Sequence, residues 1–198
     1  MSGRGWTAGR IARPRGELVD GATALRAWRP DDVDSLAELC QDAEISRWTS
    51  VPAVYGADDA RSYIEASEES LHAGRSLDLA IAEPGGGPLL GSISLMRFAW
   101  SQRRGEVGYW VGAPARGRGH ATRATRLICG WGLRELGLER IELFAAAANH
   151  RSQAVAERAG FTREALLRDY GAGPQPGTRV DMVCFGLLAG DPPPLAQT

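Results

Sequence analysis

The chain has 198 residues, of which 43% are hydrophobic, and its formal net charge at pH 7 is −1. This length and composition predict one soluble globular domain with a substantial hydrophobic core. The near-neutral charge gives no reason to expect that the molecule as a whole binds nucleic acid.

Cysteine and histidine usage excludes further classes of protein. Three cysteines and three histidines are scattered along the chain, without the spacing of a zinc site or the even number of a disulfide framework. We therefore expect no metal. No apolar run reaches the length of a membrane span, and the basic N-terminus lacks the hydrophobic segment of a secretory signal. A cytoplasmic protein with no membrane association is the expectation.

One folded domain is predicted over residues 17–189, between disordered tails at 1–16 and 190–198. Hydrophobic periodicity and turn residues predict about seven strands and four helices within it. In chain order these are a strand at 22–28, a helix that begins after Asp31 or Asp32, a helix from Asp58 or Asp59 to about Gly74, strands at 77–82, 89–98 and 106–111, a helix at 118–136, a strand at 140–147, a helix at 152–158, and strands at 161–167 and 180–188. The late β–α–β–α–β order indicates the α/β class, with one mixed sheet and helices on both faces.

The stretch 105–121, GEVGYWVGAPARGRGHA, is the centre of the functional prediction. An apolar strand is followed by a glycine-rich turn and the start of a helix, where free backbone N–H groups and the helix dipole attract anions. Gly117 and Gly119 allow the backbone to approach a ligand closely. Seven arginines and a single acid, Glu106, lie in the segment 97–126. This pattern predicts a site for a phosphate-bearing cofactor.

Two common phosphate-binding turns do not fit this stretch. A P-loop ends in Gly-Lys-Ser/Thr, and the chain contains no lysine. A dinucleotide-binding turn needs Gly or Ala where Thr122 stands. It also needs an acid at the end of the following strand, whereas Glu142 lies at the start of that strand.

A third design fits the residues. Arg116-x-x-Gly119-x-Ala121 resembles the (Gln/Arg)-x-x-Gly-x-(Gly/Ala) motif of the GNAT superfamily of acetyl-CoA-dependent N-acetyltransferases. The preceding GEVGYWV and the following N-x-x-S-x-x-V-x-E-x-x-G-F from Asn149 to Phe161 are similar to the branch that contains the ribosomal-protein N-terminal acetyltransferases RimJ and RimL. The likeness extends over about residues 17–189, through LRAWRPDDV, ISRWTSVP and RVDMVCFGLL. It implies the GNAT fold with splayed central strands.

The resemblance implies a role for each matching residue in binding coenzyme A. The backbone amides of Arg116, Gly117, Arg118, Gly119, His120 and Ala121 would cradle the pyrophosphate. The strand that ends at Trp110 and Val111 would pair with the pantetheine arm, and the N–H of Val111 would polarise the thioester carbonyl. Asn149 would contact the same arm, with Ser152 beside it.

Catalytic candidates follow from the need for a neutral amine and a protonated thiolate. Glu106 is the candidate base, the alternative being an ion pair with Arg103 or Arg104. Ser152 resembles the family's thiolate-protonating position, the alternative being an N-cap. Lower-ranked candidates are Asp169 and Tyr170, in the loop expected after the strand 161–167, and Tyr109, for which burial is favoured. Trp48 and Tyr55, in the segment 45–55 that is expected to be irregular, are the candidate walls of an acceptor pocket together with Glu106, the alternative being that this segment covers the core.

The predicted function is direct transfer of an acetyl group from acetyl-CoA to a primary amine, without an acyl-enzyme. The acceptor is left open between a protein N-terminus and a small-molecule amine, and a homodimer is also left open. The alternatives are a non-catalytic coenzyme A-binding module of the same fold and a nucleic-acid accessory protein that binds through its basic tail.

Overall fold

The computed structural model describes residues 11–173 and 177–191. Within them lie eight strands and five α-helices. The strands are β1 Leu18–Asp20, β2 Thr23–Arg26, β3 Ser76–Ala82, β4 Leu89–Ala99, β5 Arg104–Val111, β6 Arg140–Ala146, β7 Thr162–Ala172 and β8 Arg179–Leu188; the helices are α1 Val33–Leu39, α2 Ala43–Trp48, α3 Ala57–His72, α4 His120–Arg134 and α5 His150–Ala159. None of the helices in these two ranges is both long and apolar enough to cross a membrane.

All eight strands form one mixed sheet in the order β1-β2-β3-β4-β5-β6-β8-β7. The β5–β6 pair is parallel, and the other neighbouring pairs are antiparallel. The predicted α/β class with a mixed sheet is therefore confirmed. The count of about seven strands and four helices is short by one of each. Strand β1 spans only three residues, and α2 extends to Trp48, into the segment 45–55 that was expected to be irregular.

Helices cover both faces of the sheet, and the sheet separates the core into two clusters. Side chains of β5 alternate between the clusters, as strand geometry requires. Val107 and Tyr109 pack into the larger cluster, which contains Ile128 and Trp131 of α4. Trp110 packs into the smaller cluster beside α1 and α3. We call these the α4–α5 face and the α1–α3 face; Glu106 shares the second with Trp110 by alternation.

The structure departs from the expected disorder of residues 1–16 at their C-terminal end. Ile11 is 7% exposed and belongs to the larger core cluster. Arg13 forms an ion pair with Glu68 on α3. Burial of an apolar side chain and a charge contact both fix this segment to the domain. Residues 1–10 and 192–198 lie outside the described residues, so the predicted domain limits stay a prediction there.

Asp169 and Tyr170 lie within a strand, so their assignment to a loop was wrong. Strand β7 continues to Ala172 beyond an irregularity in its pairing with β8 between Leu167 and Gly171. Asp169 has φ +57°, in the left-handed region. A bulged residue of this kind interrupts the polar–apolar alternation, and this interruption made the sequence resemble a loop.

Candidate active site

Strands β5 and β6 separate in the middle of the sheet. Their parallel register runs from Arg104 opposite Arg140 to Glu106 opposite Glu142. Beyond this point β5 stays paired with β4 as far as Val111, and β6 stays paired with β8 as far as Ala146. The predicted splay of the central strands is therefore present, and we call the opening between them the fork.

The hydrogen-bond pattern of β4 and β5 shows which backbone groups face the fork. Gly112 N–H donates to the Leu90 carbonyl at 2.9 Å, which makes this a hydrogen-bonded position of the antiparallel ladder. Hydrogen-bonded and non-hydrogen-bonded positions alternate, so the N–H and C=O of Val111 point away from β4 and toward the fork. The carbonyl accepts a hydrogen bond from Arg116 Nε at 2.9 Å. The N–H remains directed at the opening.

The glycine turn lies at the end of β5 and leads directly into α4. Gly117 has φ +76° and Gly119 has φ +81°, a region that side-chain-bearing residues rarely adopt. Gly119 is also the N-cap of α4 and contributes no side chain to it. Within the described chain, the N–H groups from Gly117 to Thr122 have no hydrogen-bond acceptor. The turn therefore presents a set of free donors at the positive end of a helix, which suits an anion.

Two side chains of the turn have structural partners. Arg116 donates to the Val111 carbonyl and forms an ion pair with Asp42, with its Nη2 2.6 Å from Oδ2. The His120 ring is 5% exposed and its Nδ1 lies 2.9 Å from Thr23 Oγ1. Because the His120 side chain points into the protein, its predicted contact with a cofactor is left to its backbone amide. The Arg116 N–H already donates to the Ala113 carbonyl at 3.3 Å, so the structure does not favour the predicted contact of the Arg116 amide with a pyrophosphate.

The arginine excess of the segment 97–126 is smaller in three dimensions than in the sequence. Arg97 pairs with Glu106 of the same segment, and acids from other segments pair with three more arginines: Arg103 with Glu139, Arg104 with Glu142, and Arg116 with Asp42. Four of the seven arginines thus have an acid partner, while Arg118, Arg123 and Arg126 form no ion pair with the described acids.

Glu106 lies where the fork opens, on the α1–α3 face. Its side chain is 16% exposed, and its Oε2 lies 3.2 Å from Arg97 Nη1. The predicted alternative partners, Arg103 and Arg104, pair with Glu139 and Glu142 instead. Burial raises the pKa of the Glu106 carboxyl above its ordinary value, and Arg97 opposes that rise. A carboxyl with a raised pKa suits a group that accepts a proton and releases it again.

Ser152 lies across the fork from Glu106, on the α4–α5 face. Its Oγ is 3.0 Å from the hydroxyl of Tyr109. The N-cap of α5 is Asn149, whose Oδ1 accepts a hydrogen bond from Ser152 N–H at 3.1 Å. Ser152 is therefore not the N-cap of α5, and its hydroxyl is hydrogen-bonded to the Tyr109 hydroxyl. Burial raises the pKa of Tyr109 to about 12, so this hydroxyl keeps its proton at neutral pH.

The candidate acceptor residues fall into two groups. Tyr55 is 8% exposed and belongs to the smaller core cluster, so its position does not favour a role in an acceptor wall. Trp48 is half-buried at the end of α2, and its Nε1 donates to Glu44 at 3.1 Å. Tyr170 is 51% exposed and stacks on Phe144 of β6 with ring centroids 5.4 Å apart. The exposed backbone N–H of Asp169 donates to Asp181 at 2.9 Å.

Three residues near the fork were missed in the sequence. Glu142 lies directly opposite Glu106 in the parallel register, and Arg97 covers Glu106 from β4. Phe144, two residues beyond Glu142, supports Tyr170. The period-two pattern of the strand 140–147 could have placed Glu142 and Phe144 on one face. Their proximity to Glu106 depends on the register, which the pattern does not give.

Comparisons with known proteins assign this mixed sheet, with its fork and adjoining anion turn, to a class of acyl-transferring enzymes. Residues 23–162 match the family described as Acetyltransferase (GNAT) domain. A relative from Bacillus subtilis, named "Putative ribosomal N-acetyltransferase YdaF", is 33% identical over 159 residues, covering 76% of this chain and 84% of the relative. The chain therefore belongs to the GNAT acetyltransferase family, and it is an N-acetyltransferase.

Solved structures share the fold. The microcin C7 self-immunity acetyltransferase MccE, in complex with acetyl-CoA and AMP, superposes with a TM-score of 0.79 at 23% identity, covering 89% of this chain and 97% of that one. Mycobacterium smegmatis RimJ, in complex with a CoA-disulfide, gives a TM-score of 0.77 at 23% identity, covering 89% and 85%. At this identity the likeness concerns the fold.

Proposed function

We propose that this chain transfers an acetyl group from acetyl-CoA directly to a primary amine, with a peptide N-terminus as the preferred acceptor. The observation that supports this most strongly is the fork itself. It opens between an anion-binding turn at one end and a buried, proton-accepting Glu106 at the other. The acetyl group of acetyl-CoA and the amine that receives it could thus meet in the middle of the sheet, where the Val111 N–H points.

The turn and the fork have the features that coenzyme A requires. The free amides from Gly117 to Thr122 would bind the pyrophosphate, since donors and helix dipole both favour its negative charge. The unpaired edge of β5 beyond Glu106 would bind the pantetheine amides as a further strand does. Trp110 belongs to β5 itself, and Asn149 is the N-cap of α5, the helix that follows β6. Bound acetyl-CoA would supply the thioester that the reaction consumes.

The groups around the fork, together with solvent, account for each proton in the reaction. Glu106 would accept a proton from the acceptor's ammonium group, which leaves a neutral amine to attack the acyl carbon. Val111 N–H would stabilise the negative charge that develops on the acyl oxygen. As the carbon–sulfur bond breaks, the Tyr109–Ser152 pair would donate a proton to the thiolate. The group that takes the proton of the amine and the groups that protonate the thiolate thus lie on opposite faces of β5. Neither proton transfer therefore interferes with the other.

The nitrogen, now bonded to the acyl carbon, loses its second proton to solvent, and solvent returns a proton to the Tyr109–Ser152 pair. Glu106 releases its proton to solvent, so that ammonium and thioester give amide, thiol and one proton overall.

The acceptor class is inferred from the sheet face and from the named relative. The α1–α3 face carries the Glu106 carboxylate, which only one nitrogen of Arg97 approaches among its described side-chain partners, and such a carboxylate attracts an ammonium group. Tyr170, exposed and stacked on Phe144, offers a flat surface for the chain that follows a peptide α-amine. The 33% identical relative carries the name of a ribosomal N-acetyltransferase, which supports a peptide over a small amine.

Purified protein, acetyl-CoA and a panel of acceptors would test the proposal. Hexapeptides with different first residues are compared with spermidine and with free amino acids, and thiol release and product mass are measured. Faster acetylation of the peptides at their N-terminus is expected. Faster acetylation of spermidine or an amino acid would overturn the acceptor assignment. Tight acetyl-CoA binding without turnover on any acceptor would favour the non-catalytic coenzyme A-binding module.

A further inference from the structure

A network of charged side chains from four strands lies on the α1–α3 face at the closed end of the fork. Its members are Arg97, Arg104, Glu106, Arg140, Glu142 and Glu164. Three arginines balance three glutamates, so the network is neutral as a whole. The two glutamates at its centre, Glu106 and Glu142, are register partners on adjacent strands, but they are held very differently.

Glu142 is firmly held. Arg104 Nη1 lies 2.8 Å from its Oε2, and Arg140 Nε lies 3.0 Å from its Oε1. Arg140 is itself fixed by a second carboxylate, since its Nη1 donates to Glu164 Oε1 at 2.9 Å. With 14% exposure and two cationic partners, Glu142 is saturated with hydrogen bonds and charge.

Glu106 is held much more loosely, although it is equally buried. Arg97 approaches it through one nitrogen, whose distances to the two carboxylate oxygens are 3.2 and 3.5 Å. The Arg97 side chain is 69% exposed. A long, solvated side chain with one marginal contact can leave at little cost, because exposed ion pairs are weak.

The backbone places Arg97 over Glu106 by a β-bulge. Leu95 and Met96 pair with Val107 and Glu106, but the next pair joins Ala99 to Arg104, so β4 carries one extra residue. Strict alternation would point Arg97 into the core beside Leu95. Instead Arg97 adopts φ +50°, and the bulge directs its side chain to the other face.

We propose that Arg97 is a displaceable counter-ion, which closes the acceptor position in the free enzyme and exchanges with the ammonium group of the acceptor. The proposal rests on the proposed function, in which Glu106 takes the acceptor's proton. The ammonium nitrogen must reach hydrogen-bond distance of a Glu106 oxygen for that transfer. Arg97 Nη1 occupies the approach to both oxygens, so binding of the acceptor requires Arg97 to swing into solvent. Arg97 is thus a positioning residue for the acceptor.

The exchange has a distinctive kinetic consequence. The charged groups that face Glu106 are Arg97 on β4, Arg104 on β5 and Glu142 on β6, with the Cys184 thiol of β8 nearby. Arg97 acts on Glu106 in the free enzyme but has left in the complex with the acceptor. Removal of the Arg97 guanidinium by substitution should therefore change the pH profile of kcat/KM, which reports the free enzyme. The pH profile of kcat, which reports the complex, should stay unchanged.

The test compares Arg97→Met with Arg103→Met, using acetyl-CoA and a serine-initiated hexapeptide as the probe. Arg103 is a matched control, because it also has a positive φ of +48° and an ion pair, with Glu139 rather than Glu106. In Arg97→Met we expect the KM of the peptide to fall about two- to fivefold. The acid limb of kcat/KM should move up by as much as about 0.7 pH units. The acid limb of kcat should stay in place, Arg97→Lys should restore the wild-type profile, and Arg103→Met should behave as the wild type.

The possible results separate the two proposals. If the wild type transfers acetyl groups and Arg97→Met matches Arg103→Met, the exchange is overturned while the proposed function stands. If Arg97→Met shifts both pH profiles together, Arg97 is a fixed neighbour of Glu106 and the exchange is again overturned. If the wild type transfers nothing to the peptide or to spermidine at any pH, the proposed function fails and the exchange fails with it.

Discussion

The glycine turn and the acid–base groups of the fork are built in different ways. The turn uses backbone amides of consecutive residues, fixed by two glycines with positive φ. The acid–base groups are side chains from β4, β5, β6 and α5 that meet only when the sheet has formed. A site made of backbone is sensitive to chain geometry, whereas a site made of side chains is sensitive to single functional groups. Substitutions at the two places should therefore separate binding from chemistry.

The largest effect is expected for Glu106→Gln, which keeps the shape and removes the base. We expect kcat to fall by about 10²- to 10⁴-fold and acetyl-CoA affinity to stay unchanged by isothermal titration. In the wild type, activity should fall as the pH drops through the raised pKa of Glu106, because protonation disables the base. That acid limb should disappear in the variant.

Glu164→Gln is the matched control for this substitution, since Glu164 belongs to the same charged network but pairs with Arg140. It should keep the acid limb. An unchanged pH profile in Glu106→Gln would transfer the role of base to Asp169 or to solvent.

The next largest effect is expected at the turn, for Gly119→Trp. The left-handed backbone of Gly119 disfavours any side chain, and a Cβ there would lie 2.8 Å from Arg123 Nη1. We expect the Kd for acetyl-CoA to rise at least about 100-fold, equivalent to about 2.7 kcal/mol. Gly85→Trp is the control, because Gly85 has φ +71° with open space around it and lies in a different turn. Equal affinity in both variants would contradict the role of the turn.

Sequence reasoning predicted the local chain geometry correctly where the candidate site is contiguous. The strand, the glycines and the helix start follow one another in 105–121, and the missing lysine and Thr122 excluded other turns. The mixed sheet followed from periodicity and element order. Contiguous features need only local rules of chain geometry, and those rules can be read without knowing the fold.

The rest of the site depends on contacts between distant segments. The arginine excess was misleading because Glu139, Glu142 and Asp42 reach it from other elements. The bulge that turns Arg97 toward Glu106 has no signature in the sequence. Tyr55 was assigned to the acceptor wall from its aromatic neighbours, but packing of α1 and α3 buries it. Sheet register and helix packing decide these points.

A smaller effect is expected for Tyr109→Phe and Ser152→Ala. Each removes one hydroxyl of a pair joined at 3.0 Å, and we expect each to lower kcat by about ten- to a hundredfold. If the two hydroxyls deliver one proton together, the double variant should be no worse than the single variants. Steady-state kinetics of the three variants checks this. Additive losses would show that they act separately.

The smallest effect is expected for Asp42→Ala. Asp42 caps α2, where its side chain accepts from Glu44 N–H, and it pairs with Arg116 at the turn. Loss of the cap should lower the free energy of unfolding by about 1 kcal/mol. Acetyl-CoA affinity should weaken about two- to fivefold. Asp42 holds the Arg116 side chain, which donates a hydrogen bond to the Val111 carbonyl at the end of β5. Chemical denaturation and titration measure both. Asp58→Ala, which removes an exposed ion pair with Arg61, should change neither.

The central claim is direct transfer between two substrates bound at the fork, and two-substrate initial-velocity kinetics tests it most directly. With acetyl-CoA and the hexapeptide varied together, the account predicts intersecting double-reciprocal lines and no acetylated protein by intact mass after incubation with acetyl-CoA alone. Parallel lines, with an acetyl group trapped on the protein, would contradict it.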